Sequence, residues 1–257
     1  MAAVRHSTPS GQQVDGGRPP EQQTLLDEVS EALLRECRRD NRVYQEQAVR
    51  HLARLLEAQQ LDRFGPLLDI LEGPLLKYAA SRSGNSEGAV DQDEDDEGAW
   101  DLESQLQFQE ASFEALGQAW PQQAPATQAR LCDLLLSSFS SGGTWKVQLA
   151  IIKALHLFVL RLSWPAQAPA EEVASMANGI VQVACEALEM TKYSSLCLEA
   201  LKLLKTFVER IQGTQTSWIV GPSFEKLQCA VSTMATRDNV ELRNLAQEVA
   251  DIMAAFT

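Results

Sequence analysis

Aromatic residues make up only 6% of this 257-residue chain, and Val, Ile, Thr and Tyr never form runs of two-residue alternation. Without such runs no half-buried strand can be written, so sheet folds are excluded and the class is all-α. Cysteine is scarce and scattered: Cys37, Cys132, Cys185, Cys197 and Cys229 form no CxxC pair and have no histidine at ligand spacing. A zinc ribbon or disulfide framework is thereby excluded, and buried free thiols in a reducing compartment are expected. His6, His51 and His156 stand too far apart for a metal site or a catalytic base. The GxSxG, HExxH and GxxxxGK[ST] patterns are missing, so no catalytic, cofactor or metal residue is assigned. No stretch offers the ~20 clean apolar residues that a membrane span requires. Residues 1–20 lack the apolar core of a signal peptide, and no Asn-x-Ser/Thr sequon occurs. These absences lead to the expectation of a cytoplasmic protein, with the nucleus as a second compartment.

Positive charge is also in short supply. The net charge is −13, and nine of the acids fall between Glu87 and Glu103 with no base among them. Outside that segment the chain is close to neutral. Nucleic-acid binding needs a basic stripe to neutralise phosphates, and none is present. Docking on anionic membranes is disfavoured for the same reason.

What is abundant is Leu, Ala, Gln and Glu, the composition of helices. The organising stretch is Thr144 to Leu162, TWKVQLAIIKALHLFVLRL. Lys146, Lys153, His156 and Arg161 fall on one face at 100° per residue, and almost everything else is apolar. Such a helix must be covered on several sides. On this reading, His156 is a helix-surface histidine, and the strip Lys146, Lys153 and Arg161 is a solvated face, with contact to an acidic partner as the alternative. Helices are expected at Glu21–Asp40, from about Val43 to Leu56, and, with Pro-induced kinks, within Leu61–Ala80. Others follow at Trp100–Trp120, Ala126–Ser140, Pro169–Met190, Tyr193–Gln212, Phe224–Thr236 and from Asn239 to the end. Residues 1–20 are read as a disordered segment and 81–98 as an acidic disordered loop, because neither carries apolar anchors. Residues 21–80 then form helical hairpins, and 99–257 form further helical repeats. In the last helix Leu242, Leu245, Ala246, Val249, Ile252, Met253 and Phe256 oppose Glu241, Arg243, Asn244, Gln247, Glu248 and Asp251, the two-faced pattern of a terminal cap.

Ala48, Leu149, Ala200 and Ala246 recur as anchors in the second helix of each pair. Leu149 to Ala200 and Ala200 to Ala246 are separated by roughly one HEAT-type period, and Ala48 to Leu149 by about two. The fold expected is a HEAT/armadillo-like α-solenoid of about five helical hairpins. Thr144-Trp145-Lys146-Val147-Gln148-Leu149, Tyr193-Ser194-Ser195 with Glu199-Ala200-Leu201, and Glu241-Leu242 resemble the C-terminal end of the proteasome adaptor and scaffold protein family. The resemblance is best from Thr144 to Thr257 and extends back to Glu21. It implies a non-enzymatic adaptor with the proteasome as partner, and no catalytic residues. A generic HEAT/armadillo binding module, such as part of a transport receptor or phosphatase scaffold, is the competing expectation. Solenoids act by recognising other proteins, so Trp145 and Trp164, which open and close the central helix, are candidates for a pair of aromatic partner anchors, and Trp145, Lys146 and Tyr193 are the expected partner-binding residues. The competing reading of Trp145 is packing over its own hairpin turn.

Overall fold

The computed structural model describes residues 20–39, 41–58, 96–119, 125–140, 144–161, 170–211 and 222–254. Among them lie nine helices: α1 (Pro20–Cys37), α2 (Arg42–Glu57), α3 (Asp96–Ala119), α4 (Pro125–Ser140), α5 (Trp145–Arg161), α6 (Ala170–Glu189), α7 (Ser194–Ile211), α8 (Pro222–Ala235) and α9 (Val240–Ala254). No strand occurs among the described residues. The expected disorder before residue 20, the kinked segment at 61–80, and residues 81–95 of the acidic loop lie outside them.

One boundary needs correcting. The loop was expected to run to Gly98, yet α3 already begins at Asp96. A helix N-terminus presents unpaired N–H groups and a partial positive charge, so a run of acids is no obstacle to starting a helix there. Elsewhere the ends fall where local chemistry puts them. Asn41 adopts an extended backbone (φ −138°, ψ 108°) and its side chain accepts from the Tyr44 amide, capping α2. Asn239 Oδ1 does the same for the Glu241 and Leu242 amides at 3.0 and 3.2 Å, starting α9.

The helices form two layers of a stack. The second helices of successive pairs pack in the order α2, α3, α5, α7, α9, each extensively on the next. Within the other layer α4 packs on α6 and α6 on α8. Across the layers α1 lies on α2, α4 on α5, α6 on α7, and α8 on α9. This is the two-layered solenoid expected from the repeat, because one hairpin cannot bury both its faces. α5 is covered by α3, α4, α6 and α7, which explains its apolar circumference.

The core is continuous along the stack. Phe113, Phe158 and Phe207, fully buried, come from α3, α5 and α7, three successive helices of one layer. Each contributes about 1.5–3 kcal/mol through burial. Close approach of α3 and α5 depends on Gly117, where a Cβ would lie 2.8 Å from the Ala154 Cα. Cys37, Cys132, Cys185 and Cys197 are buried free thiols, as expected, while Cys229 is exposed.

Candidate partner-binding surface

The second-layer helices run side by side, so polar residues one repeat apart meet across each junction. Arg50 on α2 holds Glu46 of its own helix and Glu114 of α3, both at 2.8 Å. Lys153 on α5 reaches the other oxygen of Glu114 at 3.9 Å. Arg161 donates to the Gln118 carbonyl and side chain of α3 at 3.3 and 3.4 Å. Arg210 on α7 donates to the Leu160 carbonyl of α5, and Lys205 meets Glu248 of α9 at 2.8 Å. Lys153 and Arg161 therefore tie α5 to α3 and are not a merely solvated strip. Exposed pairs of this kind are worth about 0–1 kcal/mol each, so their effect is on register more than on stability.

His156 also departs from the surface reading. It is half-buried between α5 and α7, with Nδ1 2.9 Å from Glu199 Oε1 and Nε2 3.0 Å from Thr206 Oγ1. Burial pushes the Glu199 carboxyl up, but hydrogen bonds and charge from His156 and Lys202 outweigh it and hold the group below the ordinary glutamate range. A hydroxyl, an imidazole and a carboxylate in line have the order of a hydrolytic relay. Thr206, however, lies inside α7, where the surrounding amides are consumed by the helical ladder and cannot serve as an oxyanion hole. The cluster is best described as a polar clamp between repeats. Sequence reasoning missed it. The available signal was spacing: Gln118 to Arg161, His156 to Glu199 and Lys205 to Glu248 are all separated by 43 residues.

Trp145, Lys146 and Tyr193 lie at the end of the layer where α5 and α7 both begin. Thr144 O accepts from the Gln148 amide, placing Trp145 at the first helical position of α5. Tyr193 O accepts from the Cys197 amide, making Tyr193 the residue that opens α7. The preceding turn is held by the Tyr193 amide on Met190 O and by the Cys197 thiol over Ala187 O and Met190 O. These two starts bring the rings together, with centroids 5.3 Å apart and planes 12° from parallel. Trp145 thus packs on Tyr193 across a repeat junction; the turn that precedes it, and Trp164, lie outside the described residues. Both rings are partly exposed and Lys146 is exposed. Beside them, Thr191, Ser194, Thr233, Thr236, Arg237 and Asn239 help line a groove of about 610 Å³ between the α6–α7 and α8–α9 turns. Among the described residues no cluster of three or more His, Cys, Asp or Glu could hold a metal ion, and no helix is long and apolar enough to cross a membrane.

The family model described as ECM29, C-terminal ARM-like repeats, matches residues 20–249. The chain belongs to this family. It is 29% identical over 198 residues to the human (Homo sapiens) proteasome adapter and scaffold protein ECM29, a match covering 75% of this chain and 10% of that protein. The chain thus spans only about a tenth of the length of this ECM29 relative. The crystal structure of an engineered protein aligns over 89% of this chain and 97% of its own, with a TM-score of 0.46 and 16% identity, too slight a likeness to carry an argument.

Proposed function

We propose that this ARM-like segment is a non-enzymatic adaptor or scaffold surface whose partner is the proteasome, acting in the cytoplasm and the nucleus. The observation that carries this reading is the match to the ECM29 repeats over residues 20–249, since the human relative is named a proteasome adapter and scaffold. A stack of helical pairs supplies extended surface and little chemistry, so recognition of another macromolecule is the activity it can offer. Trp145, Lys146 and Tyr193 are the proposed contact residues: two partly exposed rings held rigidly by stacking, with a cation beside them. Rigid aromatics lose little entropy on binding and dominate interface energetics.

The test is recovery of proteasome subunits from cell extract by the tagged chain at modest salt, against a variant carrying Trp145→Ala and Lys146→Glu. Loss of an aromatic anchor costs about 2 kcal/mol or more of binding, roughly thirtyfold in affinity. Circular dichroism of the variant separates lost binding from lost folding. Recovery of transport receptors or a phosphatase, and never of proteasome subunits, would replace this reading with a generic armadillo-type module.

A further inference from the structure

The described lysines are Lys146, Lys153, Lys192, Lys202, Lys205 and Lys226. Lys153, Lys202, Lys205 and Lys226 each sit within 4 Å of a glutamate. Lys146 and Lys192 are exposed and, among the described residues, have no acidic partner. These two occupy related positions. Lys146 follows Trp145 and Lys192 precedes Tyr193, so the two unpaired lysines adjoin the stacked rings along the chain at the starts of two successive repeats. In a chain with 35 acids against 22 Lys and Arg, the aromatic shelf is where, among the described lysines, charge is left without an acidic partner.

We propose that the Trp145–Tyr193 shelf, flanked by Lys146 and Lys192, docks an extended acidic peptide segment of a protein partner. The inference rests on the partner-binding reading of the same patch and adds the chemistry of what is bound. The exposed edges of the two rings take an apolar ring or a proline, while carboxylates on either side meet the two ammonium groups. Uncompensated cations beside a partly desolvated aromatic surface attract anions more strongly than cations already paired, and they steer encounter. The groove beside Tyr193 continues the path, lined by Thr191, Ser194, Thr233 and Thr236, with the Arg237 guanidinium spanning it to the Thr191 carbonyl at 3.5 Å. Its one carboxylate, Asp238, adjoins Arg237 in the same lining. A nucleic-acid strand fits less well: two lysines neutralise only two phosphates, the chain carries −13 overall, and each ring already gives one face to the other.

The test uses the full chain and a fluorescein-labelled nonapeptide of glutamates and prolines around one phenylalanine, read by fluorescence anisotropy. The acidic peptide is expected to bind, more weakly as salt rises. Lys146→Glu with Lys192→Glu should weaken it by at least about tenfold and create binding to the matching peptide with lysines in place of glutamates. Arg35→Glu with Arg38→Glu, two exposed positions at the C-terminal end of α1, changes net charge equally and should leave the affinity within about twofold. Unchanged affinity in the first variant, or tighter binding of a labelled oligothymidylate than of the acidic peptide, would overturn the proposal. The proteasome-recovery assay separates this idea from the reading beneath it. Recovery lost with Trp145→Ala but kept after charge reversal of both lysines leaves the partner surface standing and removes the acidic segment; recovery indifferent to both removes both.

Discussion

Gly117 sets how closely α3 and α5 approach. An added Cβ there would meet the Ala154 backbone at 2.8 Å and its Cβ at 3.1 Å, so the two helices must separate. At Gly179 the added atom would meet only the tip of the Leu136 side chain, at 2.6 Å, and that tip can rotate. In either helix alanine recovers up to about 1 kcal/mol of propensity. Gly117→Ala is therefore expected to cost a net ~1–2 kcal/mol, overpacking outweighing propensity, while Gly179→Ala stays within about 0.5 kcal/mol of neutral. Urea unfolding of the two variants checks the order, and a larger loss at Gly179 would contradict it. The cysteines give a second prediction at this scale. Burial pushes the Cys37 thiol up to about 12 and the Cys185 thiol up to about 11, and raises Cys132 and Cys197 as well. Since the thiolate is the nucleophile, a thiol-reactive disulfide reagent at neutral pH should label exposed Cys229 promptly and these four only on unfolding.

The junction between α5 and α7 shows what elements add. Glu199 is held below the ordinary glutamate value by His156 and Lys202, so its contribution to stability is present above the unfolded pKa near 4.5 and fades as pH falls through the lower folded value. Glu199→Gln should lower stability at neutral pH and flatten the loss of stability in acid. An acid limb as steep as in the parent would mean that other carboxylates govern it. Helix limits are legible in the sequence because each helix carries its own stripe and stop signals: α5, expected over Thr144–Leu162, spans Trp145–Arg161, and α7, expected over Tyr193–Gln212, spans Ser194–Ile211. The clamp is not legible. Lysine, arginine and histidine at one face of a helix have the same pattern whether water or the next helix lies opposite, and only the register of stacking decides it. The nearness of Trp145 and Tyr193 is likewise a product of register, since two helices that start at the same end of one layer bring their first residues together.

For the whole molecule the two ends of the described stack differ. Four of the six exposed large hydrophobics, Leu25, Val29, Val43 and Tyr44, belong to α1 and α2. At the other end α9 buries Leu242, Ala246, Val249 and Met253 against α7 and α8, and leaves Glu241, Arg243, Asn244, Gln247, Glu248 and Asp251 in solvent. An array of similar hairpins grows by matching one apolar face to the next, and the polar face of α9 offers no such match. Asn244, Gln247 and Asp251 fall within ~60° of each other on the helical wheel and form the outward stripe of that face. Replacing the three by leucine would extend the apolar arc of α9 around the end of the stack without touching its buried side. The folded chain should then keep its helical circular dichroism and shift towards larger species than the parent in sedimentation velocity, increasingly so with concentration. If the variant sediments as the parent does across a hundredfold range of concentration, the polarity of α9 is not what keeps this face from stacking on another, and the shape of the α8–α9 pair must do so instead.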